Sequence, residues 1–205
     1  LKFLSDDRLE GRGTGSKGGE TAALYIASQF EALGLKGAGE KGSFWQPAAL
    51  VGVKADPKTE LRISGQSNSE SFKFADDFVA FTGAQTENVK ANADLVFVGY
   101  GIDAPEQKWN DYKGASVDDF RGKILVMLVN DPPATAAEPD LFGGRRLTYY
   151  GRWTYKYEEA ARRGAVGAIL LHTTESAGYG WNVVPTSNGS GRFDLARTAG
   201  AQTPV

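Results

Sequence analysis

Two apolar runs limit what this chain can fold into. One covers residues 122–130 and the other residues 164–172, and glycine or polar residues bound both of them. Apolar runs of this length are typical of strands that are buried on both faces of a sheet. A long connection and a segment with helical spacing separate the two runs. The sequence therefore predicts an α/β fold in which a helix lies between two buried strands.

The helical segments carry recognisable ends. Residues 20–33 are predicted to form a helix, with Ser16 as its N-cap and Gly34 as the left-handed residue that ends it. Its apolar stripe needs a partner surface and consists of Ala22, Ile26, Phe30 and Leu33. A second helix is predicted at residues 152–163. Its apolar face is predicted to comprise Trp153, Tyr157, Ala160 and Ala161.

Short alternating patterns predict antiparallel content as well. Residues 61–63 and 72–74 alternate between apolar and polar side chains, as half-buried strands do. Residues 94–101 are more continuously apolar and predict a more buried strand. The following segment, residues 103–120, is predicted to be a polar loop.

Composition excludes several classes of function. The chain has 205 residues, which suits one domain or one domain with an appendage. Its formal net charge of −2 gives no electrostatic case for binding nucleic acid or an anionic membrane surface. It has no cysteine, which excludes disulfides and thiolate metal sites. Because it starts at Leu1 and stops in what reads as the approach to another element, we expect a piece of a longer polypeptide.

One glycine pattern resembles a phosphate-binding motif but lacks its context. Gly13, Gly15 and Gly18 satisfy G-x-G-x-x-G before a predicted helix. The dinucleotide fingerprint needs a buried strand directly upstream, and residues 5–10 do not form one. The Walker pattern also fails, because Lys17 is followed by glycine rather than Ser or Thr. We therefore do not assign a phosphate site here.

The titratable residues give little support for catalysis. His172, the single histidine, ends the second apolar run, and one histidine cannot supply a His-rich zinc site. No nearby nucleophile and acid mark a catalytic triad, so we interpret His172 as a hydrogen-bonded histidine at a strand end. The acidic pairs at 76–77 and 118–119 are interpreted as solvated turns, because adjacent carboxylates point in different directions from a strand.

The segment 142–157 is the most distinctive on chemical grounds. It concentrates four tyrosines, one tryptophan and three arginines in sixteen positions. Arginine can hold a carboxylate bidentately, while Tyr and Trp supply rigid contact area with a polar edge. About half of these aromatic side chains are expected to form the core face of the second helix. The candidates for contacting a peptide end are Arg145, Tyr150, Arg152 and Trp153.

With these residues laid out, the chain resembles the amino-terminal part of M28-family zinc aminopeptidases that carry a protease-associated (PA) domain insertion. Residues 9–15 and the helix that ends before Leu35 are similar to the start of the peptidase domain. Residues 122–126 and 157–169 are similar to the PA core. Together the two stretches extend the resemblance over most of the chain.

The resemblance implies where the chemistry of such an enzyme lies. These peptidases hold two zinc ions with His, Asp and Glu ligands and use a Glu as general base, in motifs that follow the PA insertion. None of those motifs occurs by residue 205. We therefore carry over no catalytic residue and no metal ligand. No cofactor is expected in this chain, and the two zinc ions are implied for the full-length parent.

The expected function follows from the same resemblance. It is a non-catalytic PA fragment that gates substrate access or mediates peptide or protein interaction, in a secreted or periplasmic enzyme. Its partners would be the substrate and the cognate peptidase domain. The PA domain would form a lid or side wall over the peptidase cleft. Tyr179 and Trp181, in the loop at 178–182, join the candidate contact residues for that wall.

The expected fold is a PA-like open β-barrel or two-sheet sandwich with packed helices, in the mixed α/β class. Residues 1–40 would be the helical start of the peptidase domain, and residues 44–200 the PA-like domain. The main alternative is a self-contained α/β small-ligand-binding protein or hydrolase. Its site would lie near Asp131 and His172, at the carboxyl ends of the two apolar strands. An independent interaction module is a third possibility.

Overall fold

The structure, a computed structural model, describes residues 1–144, 146–189 and 191–197. These ranges form a mixed α/β fold with several small sheets and a few helices, which confirms the predicted class. The helices are α1 (Lys17–Ala32), α2 (Trp153–Arg162), α3 (Thr174–Ala177) and α4 (Val183–Asn188). The strands are β1 (Leu50–Val53), β2 (Leu61–Ser64), β3 (Ser69–Phe72), β4 (Leu95–Phe97), β5 (Asp103–Ala104), β6 (Trp109–Asn110), β7 (Ile124–Leu128), β8 (Gly167–Leu171) and β9 (Arg192–Leu195).

The described residues divide into two compact units. One comprises residues 1–53 and 192–197, and the other comprises the described residues between 54 and 191. The first unit includes an antiparallel pair, in which β1 and β9 align Leu50 with Leu195. The predicted division at residues 40–44, which follows the family resemblance, stays a prediction.

Both ends of α1 form as the sequence predicts, although the helix begins at Lys17. The Ser16 hydroxyl accepts a hydrogen bond from the backbone N–H of Gly19 at 3.1 Å, which satisfies one of the free donors of the first turn. Gly34 has a φ of 73°. The N–H groups of Gly34 and Leu35 donate to the carbonyls of Glu31 and Phe30, which is the Schellman pattern of a helix end.

The apolar stripe of α1 is buried only near its first turns. Ala22 is buried, and so is Leu9 in the short 3-10 segment Asp7–Arg12. The rest of the stripe is exposed at Ile26, Phe30 and Leu33. Within the first unit the far end of this helix is partly covered, because the ring of Phe30 lies 6.0 Å from that of Phe44, centroid to centroid.

A parallel three-stranded sheet organises the second unit. β7 lies in the centre with β4 on one side and β8 on the other. In the register, Leu125 of β7 aligns with Val96 of β4 and Ala168 of β8. Parallel strands need a crossover between them, and the crossover from β7 to β8 contains α2. The two predicted strands are therefore confirmed, with shorter bounds than the apolar runs.

Burial of this sheet differs from the prediction. Leu125 and Met127 are fully buried, whereas Ile124, Val126 and Leu128 on the opposite face are only half-buried. The prediction that β7 is buried on both faces was wrong. One face packs against side chains from α2 and from the segment that follows β6, including Ala160, Tyr112 and Phe120.

The segment predicted to be a polar loop contributes much of the core. β5 and β6 form a short antiparallel pair that aligns Ala104 with Trp109. Ile102 and Ala104 are fully buried together with Phe142 and Tyr155 in a second apolar cluster. The polar-loop prediction was therefore wrong for this region, because its apolar residues are isolated in sequence and collect only in the folded chain.

The buried face of α2 also differs from the predicted one. Trp153 and Tyr157 are half-buried and Ala161 is exposed. The side chains that are buried instead are those of Tyr155, Lys156, Glu159 and Ala160. Only Ala160 was assigned correctly. Because Lys156 and Glu159 lie on the inner face, the sequence pattern wrongly indicates that this face is exposed to solvent.

The β2–β3 hairpin confirms one of the predicted antiparallel strands. β2 aligns Leu61 with Phe72 and Ile63 with Glu70 of β3. The second predicted segment, residues 72–74, is a strand only at its first residue. Phe74 lies beyond β3 and forms an isolated bridge with Phe78.

Gly101 provides a test of the packing between the β4 loop and β7. Its φ is 62°, and a Cβ there would lie 2.3 Å from Sδ of Met127. Gly114 has a φ of 82° and open space around the same position. We expect Gly114→Ala to cost about 1 kcal/mol of unfolding free energy from backbone strain alone. Gly101→Ala should cost roughly 2–4 kcal/mol, because overpacking adds to strain.

Urea unfolding of the two variants measures this difference. Equal losses for Gly101→Ala and Gly114→Ala would contradict the close packing of Gly101 against Met127.

Candidate functional site

The carboxyl end of β7 connects two loops of the second unit. Asn130 has a φ of 73°, a conformation that Asn tolerates better than most residues, and its side-chain amide donates to the carbonyl of Ser176 at 2.9 Å. The carboxylate of Asp131 accepts hydrogen bonds from the backbone N–H and the hydroxyl of Thr148. Asn130 thus holds the segment after β8, and Asp131 holds the long connection before α2.

A cavity of about 550 Å³ lies beside α2, and three tyrosines line it. The ring of Tyr155 is packed edge-to-face against Tyr150, with centroids 5.0 Å apart, and against Tyr149, with centroids 5.8 Å apart. We call this cavity the tyrosine pocket. Its other lining residues are Asp103, Pro105, Glu159 and Arg162.

The hydroxyls of two pocket tyrosines are held by carboxylates. Tyr149 donates to Glu158 at 2.6 Å, and Tyr150 donates to Glu106 at 2.6 Å. The hydrogen bond to Glu106, assisted by desolvation, raises the pKa of Tyr150 to about 12. Both rings are therefore fixed in orientation, and the Tyr150 phenol stays protonated around neutral pH.

The inner wall of the pocket is a network of ion pairs. Arg163 and Glu159 are almost completely buried and are joined by a bond of 2.7 Å. Arg163 also reaches Asp103 at 3.2 Å, and Arg162 binds Glu159 at 2.8 Å. The guanidinium carbon of Arg163 lies 3.3 Å from the ring centroid of Tyr112. Burying these charges is tolerated because each has an opposite partner and the Arg–carboxylate bonds are directional.

Lys156 is a second buried cation, without a carboxylate in direct contact among the described residues. Its side chain is fully buried, and its ammonium donates to the carbonyl of Tyr100. The rings of Tyr100 and Tyr155 lie 5.8 and 6.0 Å from the ammonium nitrogen. Desolvation lowers the pKa of Lys156 to about 8, while the charges of Asp111 and Asp131 oppose that shift.

The predicted contact residues of the segment 142–157 take different positions. Tyr150 lines the tyrosine pocket. Arg152 is exposed and occupies the position before α2, and Trp153 is its half-buried first residue. Arg145 lies outside the described residues. Tyr149 and Tyr155 line the pocket without having been singled out individually, although the tyrosine cluster in this segment was the available signal.

Tyr179 and Trp181 form a separate group around His172. Their ring centroids lie 5.3 and 5.8 Å from the imidazole, and the indole N–H of Trp181 donates to the carbonyl of Ala75 at 3.0 Å. Nε2 of His172 is buried and has no hydrogen-bond partner among the described residues. The interpretation of His172 as a hydrogen-bonded histidine therefore fails for this nitrogen.

The first unit has a cavity of its own, of about 760 Å³. Phe30 and Leu35 at the end of α1 line it together with Phe44 and Trp45. The remaining wall includes Lys36, Glu40 and Gln46, so this cavity combines aromatic rings with polar residues.

The described ranges offer neither a clustered metal-ligand set nor a membrane-spanning helix. Within residues 1–144, 146–189 and 191–197, no group of three or more His, Asp or Glu side chains is arranged to hold a metal ion. These residues do not fit the zinc pair that the resemblance implies for the parent, and we assign no zinc-dependent step to them. No helix in the same ranges is long and apolar enough to cross a membrane.

Comparison with known proteins identifies no relative of this chain. No protein-family model matches the chain, and neither curated proteins nor solved structures give a significant match. The family resemblance therefore rests on the quoted residues alone.

The burial of Lys156 predicts a distinctive dependence of stability on pH. Its pKa falls from 10.5 to about 8 on folding, so between these values the unfolded chain binds a proton that the folded chain does not. The contribution of Lys156 to the free energy of unfolding is therefore lowest below pH 8, and it rises between pH 8 and pH 10.5. Lys156→Met lacks this rise, and its stability relative to wild type should fall by roughly 3 kcal/mol between pH 7.5 and pH 10.5.

Chemical unfolding at several pH values measures the difference between the two proteins. Lys90→Met, which replaces an exposed lysine, is the matched control and should show no such trend. A Lys156→Met difference that stays constant with pH would contradict the desolvated lysine.

Proposed function

We propose that this chain is a non-catalytic, protease-associated part of an M28-type zinc aminopeptidase. In this proposal it recognises peptide or protein substrate beside the cognate peptidase domain and so gates access to the catalytic cleft. The residues at 9–15, 122–126 and 157–169 support the family assignment by their resemblance. The two zinc ions and the general base belong to the peptidase domain, and a secreted or periplasmic location is part of the proposal.

The proposed domain architecture is a PA-like open barrel or two-sheet sandwich. The short antiparallel pairs β2–β3 and β5–β6, beside a parallel sheet that packs on α2, support this arrangement. The stretch at 157–169 that resembles the PA core contains α2 after its first turn and the first three residues of β8.

The tyrosine pocket is the observation that carries the recognition role. Three tyrosine rings meet charged side chains in one concave region, with two of the hydroxyls anchored by carboxylates. Aromatic rings with fixed orientation offer a large contact area at low entropic cost, which is why they dominate peptide and protein recognition. The pocket combines apolar rings with a few polar and charged groups, which is the usual lining of a binding site.

One observation favours the alternative of a self-contained small-ligand protein or hydrolase. Nε2 of His172 is buried without a partner among the described residues, and His172 follows β8 at the same sheet edge as Asp131. Neither of the two cavities described above is lined by His172 or Asp131. The recognition proposal is therefore the better supported of the two.

Peptide binding tests the proposal directly. Fluorescence anisotropy with a pool of labelled tripeptides should detect binding to the wild-type chain. Tyr150→Ala should weaken that binding about tenfold, since losing one aromatic anchor costs more than about 1 kcal/mol. Tyr25→Ala, a tyrosine of the first unit, is the control and should bind like wild type. If no peptide in the pool binds, the recognition role is wrong.

Zinc titration tests the assignment of chemistry to another domain. Calorimetry on the chelator-treated chain should show no stoichiometric zinc uptake. Tight binding of one or two zinc ions would place the enzyme alternative ahead, because His172 and dispersed carboxylates would then form a metal site.

A further inference from the structure

We propose that the tyrosine pocket selects an ammonium group on a peptide. This inference rests on the proposed recognition function and names the ligand chemistry that the pocket prefers. The ammonium can belong to a lysine side chain or to a free chain start.

The phenols of Tyr149 and Tyr150 are in a hydrogen-bonding state that favours an N–H donor. Tyr149 and Tyr150 each donate their only hydroxyl hydrogen to a carboxylate, Glu158 and Glu106 respectively. A phenol that has donated its hydrogen retains only lone pairs, so it can accept but not donate a further bond. Both hydroxyls therefore present acceptors. A ligand with several N–H donors satisfies them, and an acceptor-only carboxylate does not.

The balance of charge around the pocket also favours a cation. Four carboxylates lie in or beside the pocket, against two guanidinium groups. The carboxylates belong to Asp103, Glu106, Glu158 and Glu159, and the guanidinium groups to Arg162 and Arg163. The ammonium of Lys156, 6.0 Å from the ring centroid of Tyr155, adds one positive charge. The local charge is thus about one negative unit when all are ionised.

Both arginines are already engaged by carboxylates. Arg163 binds Glu159 and Asp103, and Arg162 binds Glu159 and approaches Glu158 at 3.7 Å. An anionic ligand would have to compete with these internal partners. A cationic ligand would instead add to a region with excess negative charge, so electrostatics favours the ammonium.

The aromatic rings of the pocket can also bind a cation. A cation is attracted to the face of an aromatic ring within about 6 Å of its centroid. The pocket already shows this interaction, because the guanidinium carbon of Arg162 lies 5.5 Å from the centroid of Tyr155. Tyr149 is half-exposed, with a relative exposure of 52%, which leaves its ring accessible to a ligand from solvent.

Matched peptides separate charge from size. The probes are Ac-Ala-Lys-Ala-NH2, its norleucine analogue, its glutamate analogue, and H-Ala-Ala-Ala-NH2 beside its acetylated form. Calorimetry or anisotropy competition should show the lysine peptide binding about tenfold more tightly than the norleucine peptide, from charge-assisted hydrogen bonds and cation–π contact. The glutamate peptide should bind most weakly. Comparison of the free and acetylated alanine peptides reports whether a chain start is accepted as well.

Two charge-neutralising variants link the preference to the pocket. Glu106→Gln keeps an acceptor for Tyr150 but removes one negative charge. It should reduce the lysine-to-norleucine preference about threefold, as expected for one partly exposed charge. Glu106 accepts from the pocket residue Tyr150, whereas Glu87 is an exposed residue outside the pocket lining. Glu87→Gln is therefore the control and should leave the preference unchanged.

The outcomes separate this inference from the function on which it rests. Equal binding of the lysine and norleucine peptides, with a loss in Tyr150→Ala, would overturn the ammonium preference and leave peptide recognition intact. Tighter binding of the glutamate peptide would overturn the inference in favour of an anion site at Arg162. Absence of binding by every probe would overturn both.

Discussion

The second unit depends on a charged helix face that lies in the core. Arg163 bonds to Glu159 from the same helix end and to Asp103 of β5, while Lys156 donates to the carbonyl of Tyr100. Buried charges are costly unless they are paired and hydrogen-bonded. α2 can therefore pack only in an orientation that brings Arg163 to Asp103 and Lys156 to the carbonyl of Tyr100. This requirement holds the residues between β4 and β5, and β5 itself, against one side of the helix. Apolar packing alone would leave the rotation of α2 about its axis less defined.

This constraint creates the tyrosine pocket. Once Arg163 ties α2 to Asp103, Tyr155 lies against the segment of β5, where its hydroxyl accepts from the N–H of Asp103 at 3.2 Å. Tyr149 and Tyr150 then pack on Tyr155 from the end of the long connection. The structural ion pairs and the tyrosines that we propose for recognition consequently share the same wall. The pocket shares Tyr155 and Glu159 with the buried face of α2. Its geometry is therefore set before a ligand binds, which lowers the entropic cost of binding.

The sequence predicts those helices and strands that are specified by residues close together in the chain. The ends of α1 follow from Ser16 and Gly34, and β7 follows from a continuous apolar run, so both were predicted correctly. The inner face of α2 was not, because Lys156 and Glu159 carry charges that a periodicity analysis assigns to solvent. Lys156 lies one turn before the correctly assigned Ala160, and that spacing was the signal that could have revealed it. The pocket joins Asp103 to Arg162, whose contact depends on tertiary packing, so only its tyrosine component was foreseeable.

The central claim is that a peptide ligand occupies the tyrosine pocket. The most direct measurement is an NMR titration of the chain with 13C-labelled tyrosine rings, in which the eight tyrosines are assigned through single Tyr→Phe variants. Addition of the lysine peptide is predicted to shift the ring signals of Tyr149, Tyr150 and Tyr155 and to leave Tyr179 unchanged. Shifts confined to Tyr179, beside His172, or saturating binding without any change at the three pocket tyrosines, would contradict the account.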